Sequence, residues 1–334
     1  MANNTWVQWL SERTIDNIGL PSTIILGTLS STLLTYYLHT KFTERVLNNF
    51  QRPEKWNPDN ELVLLTGGTS GIGKQLAADL SAHHLRVIVL DISAPTYPLP
   101  PNVSFYQADI TSSAAIAQVA ALIRAEHGQP TILINNAGVF GHGTILEKSE
   151  DKIRRTFEVN NLAHFLMAKE FLPYMVRENR GHVVTVASVA SFVAVGEMVD
   201  YCCSKAGALV FHEGLRQELK FWYNAPNVRT SIIHPLWVGT PMIKGFTDYQ
   251  QSFGQPIMTP EIVSEAIIDQ IVSRRSGQVI LPRHFSLAGS IRACPLWLQE
   301  FIRPVFSKIV RKVRSVRDPV VGNVVDKLHL ECGV

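Results

Sequence analysis

From residue 61 onward, short apolar runs alternate with longer stretches in which apolar residues recur at helical spacing. Such alternation is typical of a parallel sheet that carries helices on both faces. We predict helices over 74–83, 114–126 and 152–177, and seven strands over 62–65, 87–90, 103–106, 132–134, 182–187, 228–233 and 279–281. With right-handed crossovers, these elements form a doubly wound α/β fold.

The segment 18–38 carries no charge and, as a helix, is long enough to cross about 30 Å of hydrocarbon. It is either a membrane anchor, spanning or lying in the interface, or a buried helix of the fold. A cleaved secretory signal is disfavoured because Glu12 and Asp16 stand where a basic region is required. Basic residues such as Lys41 and Arg45 follow the segment, so the positive-inside rule places the remaining chain in the cytosol.

The stretch 295–317 predicts an amphipathic helix with a basic face. Its apolar residues recur every four positions, at Trp297, Phe301, Val305, Ile309 and Val313. The helix either packs on its own domain or a second subunit, or it lies on an anionic membrane surface. Pro304 argues against one unbroken helix.

These segments divide the chain into four parts: 1–40 with a predicted anchor over 18–38, a proline-bearing linker over 41–60, a catalytic domain over 61–283, and an amphipathic extension over 284–334.

With 334 residues, 46% of them hydrophobic, the chain can bury a full core. A formal charge of only +3 without a basic-aromatic stripe argues against a nucleic-acid partner. Four cysteines without metal spacing fit a reducing compartment, and the eleven scattered histidines indicate no metal site.

The sequence LVLLTGGTSGIG at 62–73 predicts a strand, a glycine turn and the start of a helix. Gly67, Gly71 and Gly73 let the backbone turn tightly, and Ser70 and Ile72 lie between them. A pyrophosphate can then approach the free N–H groups and the positive dipole end of the helix. We therefore predict a Rossmann-type dinucleotide site.

Asp91 ends the second predicted strand, eighteen residues after Gly73. A carboxylate at this position accepts hydrogen bonds from the adenosine ribose and repels a 2′-phosphate. The alternative is an ordinary turn cap. Because no basic residue follows closely, the sequence favours NAD over NADP.

Further motifs follow in order: Asp109 in QADIT, NNAG at 135–138, Asn160 in EVNNLAHF, Ser188 in TVASVAS, and YCCSK at 201–205. Together with the glycine turn, this set resembles the short-chain dehydrogenases/reductases over residues 61–283. Within that superfamily it resembles the membrane-associated branch with retinol dehydrogenases and the hydroxysteroid dehydrogenases of lipid droplets. The resemblance implies a homodimer at the endoplasmic reticulum or a lipid droplet. Two departures are Ala163 after the asparagine motif and Leu236 where Pro-Gly is usual.

The resemblance also implies the role of each site residue. The catalytic set is Asn160, Ser188, Tyr201 and Lys205, with Ser188 bonding the reacting oxygen and Asn160 holding a water that links Lys205 to solvent. Asp109 would bond the adenine amino group, Asn136 would line the cofactor channel, and Val238 and Thr240 would touch the carboxamide and phosphates. The implied cofactor contacts are Gly67, Ser70, Gly71, Ile72, Gly73, Asp91, Asp109, Asn136, Tyr201, Lys205, Val238 and Thr240.

Tyr201 and Lys205 are four residues apart, so on a helix they share one face. Hydride transfer between an alcohol carbon and a nicotinamide requires a general acid/base near neutral pH, whereas a free tyrosine titrates near 10. An ammonium about 4 Å away stabilises the phenolate by about 4 kcal/mol at an effective dielectric of about 20. We therefore expect Lys205 to lower the pKa of Tyr201 towards neutrality.

The predicted substrate side is apolar. Its residues are Phe192, Val193, Val195, Met198 and Val199 before the tyrosine, and Trp237, Met242, Ile243 and Phe246 after the sixth strand. These segments favour a lipophilic secondary or allylic alcohol, or its carbonyl compound, over a charged metabolite. The alternatives are a membrane-bound NADPH-dependent ketone reductase of a sphingoid precursor or secondary metabolite, and a non-catalytic nucleotide-binding protein of a membrane or lipid droplet.

Overall fold

A computed structural model describes residues 22–317 of the chain, which form two compact units that separate after Phe50. The first unit contains helix α1, Ser22–Leu47, so residues 41–47 are helical where a linker was predicted. Part of the predicted anchor, 18–21, lies outside the described residues. Within 22–317, none of the helices combines the length and the apolar character that crossing a membrane requires, so the transmembrane prediction finds no support there.

A seven-stranded sheet forms the centre of the second unit. Its strands are β1 Leu62–Thr66, β2 Arg86–Asp91, β3 Val103–Gln107, β4 Ile132–Asn135, β5 Gly181–Val186, β6 Val228–Pro235 and β7 Gly277–Leu281. Their spatial order is β3-β2-β1-β4-β5-β6-β7, and all neighbouring pairs are parallel. The structure therefore confirms the parallel, doubly wound sheet and its seven predicted strands.

Helices cover both faces of this sheet. They are α2 Gly71–Ala82, α3 Ser113–Glu126, α4 Glu150–Phe157, α5 Ala163–Arg177, α6 Val199–Phe221, α7 Lys244–Thr247, α8 Gln250–Phe253, α9 Pro260–Val272 and α10 Leu296–Arg317. Leu62 and Leu64 of β1 pack with α3, α5 and α6, while Val63 and Leu65 pack with α2 and α9. Apolar residues occupy the first four positions of β1 because both of its faces are buried.

Two predicted helices differ from the structure. The helix predicted over 152–177 is confirmed as a continuous helical stretch, but it contains a π-helical segment, Glu158–Leu162, between α4 and α5. Such wide turns interrupt the regular ladder of a helix and occur often at functional sites. In contrast, α10 continues through Pro304, so the break expected there is absent; beyond the proline, Val310 and Val313 are buried and hold the second half of the helix in place.

Glu61 anchors the edge of the sheet opposite the strand ends that carry the predicted site. Its side chain is buried, and it accepts hydrogen bonds of 2.7 Å from both Arg180 and Arg274 and one of 2.5 Å from the Thr131 hydroxyl. The paired charges lie next to the starts of β1 and β4. A buried carboxylate between two guanidinium groups ties the segments before β1, β5 and β7 together.

We expect Glu61→Ala to lower the free energy of unfolding by about 3–5 kcal/mol, because it leaves two guanidinium groups without their buried counter-charge. Glu54→Ala is the matched control: this exposed carboxylate contacts the same Arg180 and Arg274, and its loss should cost about 1 kcal/mol or less. Urea unfolding followed by circular dichroism measures both. Equal destabilisation by the two variants would contradict the assigned role of Glu61.

Candidate active site

The glycine turn between β1 and α2 is held so tightly that side chains do not fit in it. Gly67 has φ +68°, and a Cβ there would lie 2.8 Å from the backbone of Ala137. A Cβ on Gly73 would lie 2.0 Å from the Gly67 carbonyl oxygen. Gly71, with φ +50°, begins α2 and packs against Thr240. Steric crowding therefore requires glycine at these three positions, as we predicted from the sequence of the turn.

Asn136 fixes this turn from the end of β4. Its Nδ2 donates hydrogen bonds of 3.0 Å to the carbonyl oxygens of Thr66 and Gly67. In return, the Thr66 hydroxyl oxygen accepts from the backbone N–H groups of Asn136 and Ala137 at 3.1 Å. Hydrogen bonds thus join the ends of β1 and β4, and they fix the position of the N-terminus of α2 beside them.

Two carboxylates follow the next strands. Asp91 ends β2 and accepts hydrogen bonds from the Thr69 N–H at 3.1 Å and the Thr69 hydroxyl at 2.6 Å. Asp109 follows β3; burial raises its pKa, but hydrogen bonds from Thr111 and the charge of Arg155, at 3.4 Å, outweigh that effect and leave the pKa lowered. Arg155 lies within a predicted helix, and nothing in the sequence indicated that it would line the site.

All the predicted site residues except Asn160 line one cleft at the carboxyl ends of the strands. They are Gly67, Ser70, Gly71, Ile72, Gly73, Asp91, Asp109, Asn136, Ser188, Tyr201, Lys205, Val238 and Thr240. The glycine turn exposes main chain to the cleft, and the carboxylates lie further along the same wall. This arrangement fits a nicotinamide dinucleotide, with its pyrophosphate at the turn and its adenosine towards Asp91 and Asp109.

Tyr201, Ser188 and Lys205 meet at the other end of the cleft. Ser188 follows β5, whereas Tyr201 and Lys205 lie on α6. The Ser188 hydroxyl donates a hydrogen bond to the phenol oxygen of Tyr201. Lys205 is buried; its Nζ lies 5.8 Å from the centroid of the Tyr201 ring and donates a 2.9 Å hydrogen bond to the Val186 carbonyl.

The pKa values correct the electrostatic expectation. Burial raises the pKa of Tyr201 to about 12, and the hydrogen bond from Ser188 opposes that rise only in part. Burial lowers the pKa of Lys205 to about 8. The expected fall of the phenol's pKa towards neutrality is therefore wrong for this arrangement: the ammonium is hydrogen-bonded to a main-chain carbonyl, and desolvation of the phenolate dominates.

Asn160 lies beside the cleft, in the π-helical segment. Its Oδ1 accepts from the Val139 N–H at 2.7 Å, and its Nδ2 donates to the Val139 carbonyl at 2.9 Å and to the Ser204 hydroxyl at 3.0 Å. The side-chain amide thus contacts three protein groups and ties the chain after β4 to α6, next to Lys205. The role of Asn160 in holding a water stays a prediction.

An apolar pocket adjoins the cleft. Its lining residues are Phe140, Ser188, Val189, Ala190, Val193, Val195, Met198, Tyr201, Leu236, Trp237, Met242, Ile243 and Phe306. Of the predicted substrate residues, Phe192 and Phe246 are instead buried behind it and Val199 does not line it. Phe140 and Phe306 were missed, because the first follows a cofactor motif and the second lies on α10, far along the sequence.

Ion pairs hold α10 against the pocket. Arg314 contacts Glu147 in a two-pronged hydrogen bond, one arm of which measures 2.9 Å, and approaches Glu197 at 3.3 Å. The hydrogen bond from Arg314 lowers the pKa of Glu147 to about 2, whereas burial raises the pKa of Glu197. One side of α10 therefore joins the loops on both sides of the pocket.

Comparisons with known proteins agree with this geometry. A family model described as short chain dehydrogenase matches residues 61–251. Dehydrogenase RED3 of Cochliobolus heterostrophus (strain C4) is 54% identical over 130 residues, which are 39% of this chain and 66% of that protein. The 17-beta-hydroxysteroid dehydrogenase 13 of Homo sapiens is 28% identical over 300 residues, 87% of this chain and 96% of that one.

The fold also matches solved structures. The 3-ketoacyl-(acyl-carrier-protein) reductase from Brucella melitensis complexed with NADH superposes with a TM-score of 0.60 at 20% identity, covering 67% of this chain and 98% of that one. At this identity the likeness concerns the fold alone. The family model, however, covers more than half of the chain, and its matched range contains the glycine turn, Ser188, Tyr201 and Lys205. The chain therefore belongs to the short-chain dehydrogenase family of NAD(P)-dependent oxidoreductases.

Proposed function

We propose that this oxidoreductase transfers a hydride between a nicotinamide cofactor and a lipophilic secondary or allylic alcohol, or its carbonyl compound. One observation carries the proposal: Ser188 and Tyr201 line both the dinucleotide cleft and the apolar pocket. A hydroxyl at this shared wall touches the proton-transfer group while its carbon skeleton lies among apolar side chains.

Tyr201 acts as the general acid/base on the substrate oxygen, and the Ser188 hydroxyl donates a hydrogen bond that holds this oxygen beside the phenol. The bound nicotinamide supplies the hydride acceptor or donor, and its oxidised form brings positive charge. Lys205, with a pKa of about 8, is mainly protonated at neutral pH and adds a buried positive charge 5.8 Å from the ring. Both charges favour the phenolate, which burial alone disfavours. Asn160 positions α6 through its contacts with Val139 and Ser204.

The composition of the pocket supports a lipophilic substrate. Among the described residues, none that lines it is charged, and aromatic rings of Phe140, Trp237 and Phe306 form parts of its wall. A charged metabolite would lose its hydration there without gaining a counter-charge. A retinoid, steroid or long-chain lipid alcohol would gain from burial of its apolar surface.

For the cofactor we propose NAD. The Asp91 carboxylate lines the cleft at the end of β2, where it would accept from ribose hydroxyls and repel a 2′-phosphate. The basic residue nearest in sequence to the glycine turn is Lys74, and its Nζ makes a cation–π contact with the Tyr97 ring, 4.2 Å from the ring centroid.

We propose that the enzyme acts at the cytosolic face of a membrane, of the endoplasmic reticulum or a lipid droplet, with α10 on the lipid surface. Leu296, Trp297, Phe301 and Val305 expose more than half of their surface on this helix. Lys308, Arg311 and Lys312 are exposed on the following turns, where anionic headgroups would attract them.

We also propose a homodimer that forms through the outer faces of α5 and α6. Phe165 of α5 and Val210 of α6 are exposed there, at 46% and 64% of their surface. An apolar groove runs between the two helices, lined by Leu172, Phe211 and Leu215 among others. Pairing of two copies would remove this apolar surface from water.

Tyr201→Phe should lower kcat for alcohol oxidation by about 10²–10⁴-fold, because the variant lacks the proton-transfer group, while cofactor binding is retained. The assay supplies NAD and a panel of retinoid, steroid and long-chain alcohols to the purified full chain in detergent. Tyr223→Phe, which removes an exposed phenol bonded to Glu218, is the control and should match the unaltered protein. Equal rates for Tyr201→Phe and the control would end the assignment.

Asp91→Ala should lower the ratio of kcat/KM with NAD to kcat/KM with NADP by about tenfold or more, since the ribose acceptor and the repulsion of a 2′-phosphate are both lost. Asp269→Ala, on the exposed side of α9, leaves the ratio unchanged. Steady-state kinetics with both cofactors measures it. If the unaltered enzyme prefers NADPH and Asp91→Ala does not change that preference, the NADPH-dependent ketone reductase is the better assignment.

The combined variant Trp297→Gln, Phe301→Gln, Val305→Ser should reduce binding to vesicles of phosphatidylserine and phosphatidylcholine by about tenfold or more, because apolar area is lost from the interface. Leu122→Gln, an exposed apolar position on α3, is the control. Vesicle flotation measures the bound fraction, and raising the salt concentration should weaken it. If the combined variant floats with the vesicles as well as the unaltered protein does, α10 is not the element that binds the membrane.

A further inference from the structure

His234 lies on β6 directly behind the candidate active site and is buried. Its Nδ1 is 3.0 Å from the carbonyl oxygen of Ser188. Its Nε2 is 3.3 Å from Nε2 of Gln278 on β7. The ring also packs on Phe192, with 4.6 Å between centroids. The imidazole thus connects the last strand of the sheet to the residue that contacts the Tyr201 phenol.

The chemistry of these partners fixes the position of the proton on His234. The Ser188 carbonyl can only accept, so Nδ1 carries the hydrogen. Burial lowers the pKa of His234 to about 4, although the bond to Ser188 opposes that effect, so the ring is neutral at neutral pH. Nε2 is then an acceptor, and the Gln278 amide N–H is its donor. A directed chain of hydrogen bonds therefore runs from Gln278 through His234 to Ser188.

Ser188 receives further contacts from the same strand. The N–H of Ala187 donates to the Ile233 carbonyl at 2.8 Å, and the Ser188 hydroxyl oxygen lies 3.2 Å from the Pro235 carbonyl, which competes with the Tyr201 phenol for the single hydroxyl hydrogen. The bond from His234 lies between these two. Because β5 pairs with β6 only as far as Val186 and Ile233, the position of Ser188 just beyond the paired region depends on these later contacts.

We propose that His234 is a positioning residue of the reaction: with its proton directed by Gln278, it holds the Ser188 backbone so that the Ser188 hydroxyl meets the Tyr201 phenol. The inference rests on the proposed roles of Ser188 and Tyr201. His234 does not line the cleft or the pocket, so it acts through Ser188 alone.

The position of Ser188 matters because its hydrogen bond favours the phenolate of Tyr201. Of the other groups that face the phenol, Phe140 is apolar and packs 5.3 Å away between ring centroids, and Lys205 is the cation on the same helix. Burial raises the pKa of Cys202 to about 11, so this thiol stays neutral over the range of the assay. Displacing Ser188 therefore makes the phenol harder to ionise.

Two charged or titratable groups face His234 besides its hydrogen-bond partners. Lys205 disfavours the protonated ring, and His212, whose pKa burial lowers to about 3, is neutral at the pH of the assay. Between pH 6 and 10, His234 itself keeps one charge state. A shift of the pH profile in a His234 variant therefore reports on Tyr201 and Lys205 rather than on the titration of the imidazole.

The test compares His234→Asn with His234→Leu in the full chain. The two side chains have nearly the same shape, but the Asn amide N–H can replace Nδ1–H, whereas Leu cannot. For His234→Leu we expect kcat of alcohol oxidation at pH 7 to fall about tenfold and the rising limb of its pH profile to move up by about half to one pH unit. For His234→Asn we expect kcat to recover at least half of the rate lost in His234→Leu and the pH profile to match that of the unaltered protein. The KM for NAD should be unchanged in both variants.

Gln278→Met is a second variant for the case that His234→Leu does not fold. Because Gln278 is exposed, its replacement should leave the fold intact. It removes the donor to Nε2, and we expect a loss of about threefold with an upward shift of the same limb. Unchanged rates and profiles for His234→Leu, or for Gln278→Met where His234→Leu is unfolded, overturn the positioning role. So does equal impairment of His234→Asn and His234→Leu. An active Tyr201→Phe variant instead refutes the proposed function itself.

Discussion

The parallel direction of the seven strands is the constraint on which the candidate site depends. It places the carboxyl ends of all strands along one edge, so residues that follow different strands meet although they are far apart in sequence. Thr66 ends β1 and the glycine turn follows it, Asp91 ends β2, and Ser188 follows β5. Asn136, which follows β4, is an example, because its amide donates hydrogen bonds to the main chain of the turn after β1. The site is therefore a property of the sheet as a whole.

Burial and charge compete at the proton-transfer end of this edge. The same apolar surroundings that would accept a lipophilic substrate disfavour a phenolate, and the pKa of Tyr201 is accordingly raised to about 12. Lys205 and the Ser188 hydroxyl oppose this effect from two sides. Because Lys205 is itself buried, with a pKa of about 8, its charge is present at neutral pH but is lost as the pH rises through that value. Ionisation of the phenol thus depends on several weak contributions, which makes exact placement of Ser188 important.

The sequence predicted the strands well because each is a short apolar run, and it predicted the cleft because glycine, Asp and Asn motifs follow those runs directly. It predicted less where contacts join distant segments. Phe306 reaches the pocket from α10, and Arg155 reaches Asp109 from a helix. No local pattern reports either contact. The π-helical segment was not foreseen, and the pKa of Tyr201 was mispredicted, for a similar reason: both depend on what surrounds a residue in three dimensions, and spacing alone does not contain that information.

The attachment of α10 has a consequence for how such an enzyme can diversify. Phe306 forms part of the pocket wall, and Arg314 fastens the helix through Glu147 and Glu197, yet no proton-transfer group lies on this helix. Changes in the C-terminal segment can therefore reshape the cavity while Ser188, Tyr201 and Lys205 stay in place. The part of the pocket wall that α10 supplies and the proton-transfer groups lie on separate stretches of chain, so one can change between related proteins at little cost to the other.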